Sequence, residues 1–424
     1  MKRLLILGTA TAAFAIVLAG CAGAASDPAQ KPELVIWTDA TREAPARAYA
    51  EAVADDVDVT VELKDNFVSD IALANRADEG WPDLLFTPNP NDIAQFRDPA
   101  NGFAQPLGDL ITNDVLEGYG SANVSCEFDG QTWCLKNDLA QSVLWYDTVI
   151  FEELGLEPPS TFDEFATVAD ELNAAGYLSG AIGSTVLQYG FLNSSGCTFS
   201  DVDPADNSIE IDASARECVR VSETLQPLID SGAFDTRSPF DAEFIAEVGQ
   251  QGKVAMQIGG SWWGDVLFAP AENWAVPPGR FAAAEMPIWD GNDVAYSGQF
   301  GGGIWVLSSH SEYKDEAAAA LEYFISDPSV IEESPTIPAY EPALAIWQEK
   351  AAASDFLAEN PTDVFAVQAQ RLQPAAQAVL FDIQGAALSE MTASVQAGES
   401  LQAGIEKFAI SATQLAEEAG YSVE

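Results

Sequence analysis

ELVIWTDATREAPARAYAEAVADDVDVTVELKDNFVSDIALANRADEGWPDLLFTP, residues 33–88, decides the fold class. Three short runs rich in β-branched, aromatic and leucine residues, ELVIWTD, VDVTVEL and PDLLFTP, alternate with the helical runs APARAYAEAVAD and VSDIALANRAD, and NDIAQF follows. Such alternation predicts an α/β fold with a largely parallel sheet, because crossover helices return each strand in the same direction. Thr87-Pro88-Asn89-Pro90 ends the third strand in a stiff loop. Loops of this kind leave the carboxyl edge of a sheet, where α/β folds bind ligands.

Further along, LWYDTVIFEELGLEPPSTFDEFATVADELNAAG reads as helix, Pro-Pro break, helix. Thr161 with Glu164, or Ser160 with Asp163, has the spacing to cap the second helix. GKVAMQIGG, AAAEMPIWD and QFGGGIWVLSS read as strands, and the tail from residue 362 to 420 as helical, with Leu401, Ile405, Phe408 and Ile410 among its apolar face. No internal repeat and no low-complexity linker beyond residues 22–32 is seen.

The N-terminus bears on location. Lys2 and Arg3 precede an apolar run from Leu4 to Ala19, too short to span a membrane and flanked as a signal peptide is. Leu18-Ala19-Gly20-Cys21 resembles the lipobox of a bacterial lipoprotein, which predicts a signal peptide over 1–20, a diacylated Cys21, and a flexible tether over 21–33. The expected location is extracytoplasmic, lipid-anchored to the cell membrane. Four cysteines remain, Cys126, Cys134, Cys197 and Cys218, and an even number in an exported chain predicts two disulfides. Pairing Cys126 with Cys134 and Cys197 with Cys218 is the simplest of three connectivities. Metal ligation is not expected, since C-x7-C is not a usual zinc spacing and the chain has one histidine.

The charge balance excludes one class of partner. Without Lys2 and Arg3, 16 basic residues face 66 acidic ones, 16 − 66 = −50. Phosphate backbones need a positive surface, so no nucleic acid is expected. His310 lies in SSHSEYKDEAAAALEYF, where Ser309 and Glu312 have capping-box spacing, so it is read as a solvated residue beside a helix cap. Histidine-based catalysis then lacks its base.

The order of these segments resembles the extracellular solute-binding proteins of ABC importers, the carbohydrate-type family that includes maltose-binding protein. VIWTD matches its first strand, WPDLLF its Pro-Asp strand and FAQPLGDLI the lead into the next helix. DGQTWCLKND followed by LWYDTVIFEELGLEPPSTFDEF resembles its most recognisable pattern, a strand leading into a tyrosine-bearing helix and then a Pro, Thr, aromatic, acid turn. GKVAMQIGGSWW, EMPIWD and GGGIWVLSSHSEYKDEAAAALEYFIS continue the series, so the resemblance runs across nearly the whole mature chain. One departure is Tyr146-Asp147 where the family usually has Tyr-Asn. The resemblance implies a two-lobed periplasmic-binding-protein-like fold with an interlobe ligand cleft and multiple hinge crossings. Residues 34–137 with 285–330 would form lobe 1, and 138–284 with 331–424 lobe 2, with hinges near Asn137-Asp138 and Glu285 to Pro287. It further implies a monomer that captures a sugar or oligosaccharide and passes it to the transmembrane subunits of an ABC permease, with no cofactor and no catalytic residue.

Sugars offer apolar C–H faces and a rim of hydroxyls, so their sites combine flat aromatic rings with fixed polar groups. In GGSWWG, Trp262 and Trp263 leave a strand between glycines; successive side chains face opposite ways, so Trp262 is expected in the cleft and Trp263 in packing. Asp39 and Arg42 after the first strand, Asn89 in the TPNPND loop, Asp138 at the hinge, Gln299 and Phe300 beside three glycines, and Tyr340 are the other candidates; Tyr189 in LQYGF is one more. Two rivals remain open: a receptor for a polyamine, metal chelate or peptide, and an exported glycoside hydrolase working through paired carboxylates.

Overall fold

The computed structural model describes residues 31–98, 102–199, 202–203, 208–374 and 381–423. The signal peptide, the lipobox with Cys21 and most of the tether lie outside the described residues. Among the described residues no helix is long and apolar enough to cross a membrane.

Two sheets carry the chain. The first contains β1 (Glu33–Thr38), β2 (Asp58–Leu63), β3 (Leu84–Thr87), β4 (Leu135–Lys136) and β8 (Ile304–Leu307), in the order β2-β1-β3-β8-β4. The second contains β5 (Ser142–Asp147), β6 (Met256–Gly260) and β7 (Phe281–Ala284), in the order β6-β5-β7. β1 runs parallel to β2 and β3, as the alternation at residues 33–88 predicts. Beyond that stretch the expected parallel sheet gives way: β8 is antiparallel to β3 and β4, and β6 and β7 are both antiparallel to β5. The reason is connectivity, since β8 returns to the first sheet from the second rather than through a crossover helix. Several strands are also shorter than read; β6 begins only at Met256, within GKVAMQIGG. β7 ends before Met286-Pro287, where proline removes a donor, and β8 begins only at Ile304, because Gly301 and Gly302 adopt φ of +93° and +89°.

Each sheet has its own core. Leu84, Phe86, Trp305 and Phe324 pack on one face of the first sheet, and Trp37, Phe67, Leu85 and Ile304 on the other. Trp145, Phe165, Ile258, Phe268 and Phe408 belong to the second lobe's core. Three segments pass between the sheets side by side. Asn137 N–H donates to Gly303 O (2.7 Å), Phe300 N–H to Ala140 O (2.7 Å), and Leu139 N–H to Ile337 O (3.0 Å). Residues 285–298, expected with lobe 1, are bonded to second-lobe elements: Ile288 N–H donates to Ser160 O (2.9 Å), and Trp289 stacks on Phe162 at 3.5 Å. The second passage therefore falls at Gln299–Gly303.

The disulfides are Cys126–Cys134 and Cys197–Cys218. Thr161 Oγ1 accepts from Glu164 N–H (3.2 Å) while Glu164 accepts from Ser160 N–H (2.8 Å), which starts the helix Phe162–Ala174. The Ser309–Glu312 cap does not form. The helix begins at Lys314 with no side-chain cap, and His310 instead lies flat on Trp81, 3.7 Å between ring centres. Asp147 caps Thr148–Leu154 by accepting from the Val149 and Ile150 amides (3.1 Å each), and its other oxygen accepts from Arg280. Asparagine could make the cap but not the ion pair. Asp147→Ala is expected to cost about 1–2 kcal/mol through the lost cap, and Asp147→Asn less; urea unfolding of the two variants checks the order.

Candidate functional site

The strand β6 ends in Gly259-Gly260, and both glycines are required by the tryptophans that follow. A Cβ on Gly259 would lie 2.2 Å from the Trp263 ring, and one on Gly260 2.6 Å from Trp262 Nε1. The two indoles fold back on their own strand and separate. Trp263 is 1% exposed and packs edge-on against Phe268 and Phe300. Trp262 is half-buried, stacks beside Phe240 (5.9 Å, 26° between planes), and donates its Nε1–H to Phe300 O (3.0 Å).

Trp262 forms one wall of a cavity of about 190 Å³ between the lobes. Pro88 and Asn89 enter from the first lobe; Phe240, Tyr189, Ser184 and Gln384 from the second; Phe300 and Gly301 from the passage between them. Among the described residues no Asp, Glu, Lys or Arg side chain lines it. The second-lobe wall is unusual in its backbone. Ser184 adopts φ +61°, a left-handed conformation that costs a serine of order 1 kcal/mol or more, and the π-helix Val186–Leu192 follows. Strain and π-turns of this kind gather at functional sites. The Tyr189 hydroxyl donates to Gln384 Oε1 (3.0 Å), and burial pushes its pKa up.

The other candidates fall elsewhere. Asn89 lines the cavity, but its amide is committed to its own loop: Nδ2 donates to Asp92 Oδ1 (2.7 Å) and Oδ1 accepts from Asn91 N–H (3.2 Å). Asp39, Arg42 and Asp138 form an ion-pair chain outside the Trp262 cavity. Arg42 lies 3.5 Å from Asp39 and 3.4 Å from Asp138, with its guanidinium 4.3 Å over the Phe86 ring. Burial raises the Asp138 carboxyl, and Arg42 opposes that. Arg42 lines a separate cavity of about 460 Å³ together with Tyr323 and Phe324. Gln299 is buried behind Gly301, to whose carbonyl it donates (2.7 Å). Tyr340 packs against Tyr119 (5.4 Å) and is not on the cavity wall. Phe240, Ser184 and Gln384 were missed in the sequence; a phenylalanine in TRSPFDAEF and a glutamine in FDIQG carry no local signal of a site.

Asp92 supports the first-lobe edge of the cavity. It is buried and accepts from Thr87 Oγ1 (2.6 Å) as well as Asn89. Burial pushes its carboxyl up to about 6; the Thr87 hydroxyl opposes this, and the charge of Asp382, on the second lobe, adds to the rise. A carboxyl whose native pKa is raised binds protons more tightly folded than unfolded, so its charge opposes the native state above pH 6 and ceases to do so below. Asp382→Asn is therefore expected to stabilise the protein at pH 7.5, with the gain vanishing by pH 5. Paired thermal melts of the two forms across that range check it.

A family model of bacterial extracellular solute-binding proteins matches residues 37–331. The chain belongs to that family, and its place of work is extracytoplasmic. Among solved structures it is similar to the galacto-N-biose/lacto-N-biose I-binding protein of an ABC transporter from Bifidobacterium longum, in complex with lacto-N-biose: 16% identity, 94% of this chain and 100% of that one, TM-score 0.75. It is also similar to an ABC-transporter-associated binding protein from B. animalis subsp. lactis in complex with β-1,6-galactobiose, at 18% identity, 93% and 100% coverage and TM-score 0.74. A third is the maltose/maltodextrin-binding domain from Bdellovibrio bacteriovorus bound to maltotriose, at 18% identity, 90% and 99% coverage and TM-score 0.64. Comparison with curated protein sequences gives no match. The shared architecture is the two-lobed periplasmic-binding-protein fold with its interlobe cleft.

Proposed function

We propose that the protein captures a neutral sugar or short oligosaccharide in the Trp262 cavity by lobe closure and delivers it to an ABC permease. The observation that carries this reading is the wall itself: aromatic faces at Trp262, Phe240 and Phe300, polar groups at Ser184, Tyr189 and Gln384, and, among the described residues, no charged side chain. A sugar ring stacks on such faces and hydrogen-bonds at its rim. A polyamine or metal chelate would call for carboxylates or other charges on the wall, so the acidity of the chain does not favour those ligands here. Contacts from both lobes bind the closed form better than the open one, which is what drives closure. No bond is broken in this cycle. Signal removal, a diacylated Cys21 holding the chain at the membrane surface, and a monomeric state complete the proposal; they rest on the LAGC motif and the resemblance of the segments.

A thermal-shift screen of the chain from Ala22 tests the ligand class, with lacto-N-biose, β-1,6-galactobiose and maltotriose against spermidine and amino acids. A ligand specific to the folded state raises the melting point by mass action. A rise with a sugar supports the proposal; a rise with spermidine alone refutes it, and sugar consumption over hours would point to a hydrolase.

A further inference from the structure

An acid stands behind the cavity wall on each lobe. On the first lobe Asp92 is buried with both oxygens engaged: Oδ2 accepts from Thr87 Oγ1 (2.6 Å) and Oδ1 from Asn89 Nδ2 (2.7 Å). On the second, Asp382 starts the helical turn Ile383–Ala386 by accepting from Gln384 N–H (3.2 Å). Asn89 and Gln384, the partners of the two acids, line the same cavity with Tyr189. The Tyr189 hydroxyl donates to Gln384, interacts with Asn91 of the first lobe, and feels the charge of both Asp382 and Asp92. The two carboxylates therefore approach one another across the lobe boundary, with Tyr189 beside both.

The groups acting on Asp92 are Thr87, Asp382 and Asn89, and those acting on Tyr189 are Asp382, Asn91 and Asp92, none of them a cation. Burial and the two acids keep Tyr189 protonated. Asp92 is the group left to titrate, raised to about 6 by burial first and by Asp382 as well, against the hydrogen bonds from Thr87 and Asn89. Like charges at a partly buried boundary repel more strongly than in water. Opening carries Asp382 away with its lobe, and Asp92 then holds a proton less tightly. A group that binds its proton more tightly in one state favours that state as the pH falls.

We propose that Asp92 and Asp382 form an acid-released brake on lobe closure: while both are charged they oppose the closed form, and a proton on Asp92 lifts the opposition and tightens sugar binding. The inference rests on the sugar reading above. Affinity is lowest where Asp92 is charged in both forms, rises as the pH falls through about 6, and levels off once Asp92 is protonated in both.

Isothermal titration of the chain from Ala22 with lacto-N-biose, β-1,6-galactobiose and maltotriose at pH 7.5 and pH 5 tests it, with a further titration at pH 6 in two buffers of different ionisation enthalpy to count protons. The wild type should bind about 3- to 10-fold more tightly at pH 5, the effect of a rise of about half to one unit in the proton affinity of Asp92 on closure. It should take up part of a proton at pH 6. Asp382→Asn should bind at pH 7.5 nearly as tightly as the wild type does at pH 5, and lose most of the pH dependence. Asp92→Asn, which keeps an acceptor for the Thr87 hydroxyl but cannot titrate, should take up no proton, and serves if Asp382→Asn does not fold. A purely structural role for either acid would change affinity by the same factor at both pH values, and that result would overturn the inference. Equal wild-type affinity at both pH values would overturn it too, while leaving the sugar reading intact. Failure of all three sugars to bind at either pH would overturn both.

Discussion

Trp262→Ala should weaken sugar binding by about 30- to 150-fold, a loss of about 2–3 kcal/mol of the kind that a central aromatic contributes. The side chain is half-buried on the cavity wall, and its orientation is fixed twice, by Phe240 beside it and by the hydrogen bond from Nε1 to Phe300 O. A ring held this way offers its face to a ligand without first losing rotamer freedom. Removing it takes away the stacking surface but little of the core, so the stability cost should stay within about 2 kcal/mol. Titration calorimetry and urea unfolding of the same variant separate the two. Binding at wild-type affinity would mean that the ligand does not stack there.

The neighbouring substitution should do the reverse. Trp263→Ala removes a side chain that is 1% exposed and lies against Phe240, Phe268 and Phe300. Large-to-small changes at such aromatics cost about 3–5 kcal/mol, because the walls relax only partly into the space left behind. Gly259 makes this worse, since its missing Cβ leaves the strand nothing with which to fill the gap. The urea midpoint should therefore fall far more than for Trp262→Ala. A small shift would show that the second-lobe core closes over the cavity more readily than its packing suggests.

The contrast between these two residues also marks how far the sequence could be read. Alternation along a strand is a local rule that needs no knowledge of the rest of the fold, but it does not account for these two residues: β6 ends at Gly260, and Trp262 and Trp263 lie in the turn and helical start beyond it. The β1–β3 alternation is local, and so are the Thr161–Glu164 and Asp147 caps. What could not be read depends on distant partners. Asp39, Arg42 and Asp138 have the chemistry of sugar ligands, but Arg42 reaches Asp138 across 96 positions and the ion pairs engage one another. Phe240 meets Trp262 through the packing of the second lobe, and Gln384 joins them only after the chain has returned to that lobe past Ile337. The direction of β8 follows from the passages between the lobes, and no periodicity within QFGGGIWVLSS encodes it. His310 shows the limit at short range: the spacing of Ser309 and Glu312 suits a cap, yet the face of Trp81 holds the ring instead.

The central claim is that a sugar sits between the lobes and is held by both. Hydrogen–deuterium exchange of the chain from Ala22, with and without saturating β-1,6-galactobiose or whichever sugar of the screen raises the melting point, tests it most directly. Slower exchange is expected together in the loop at 88–92 on the first lobe, in the wall at 184–192, and in the strand end at 256–263 on the second. Protection confined to one lobe, or centred on the Arg42 cavity and absent from the Trp262 wall, would contradict the account.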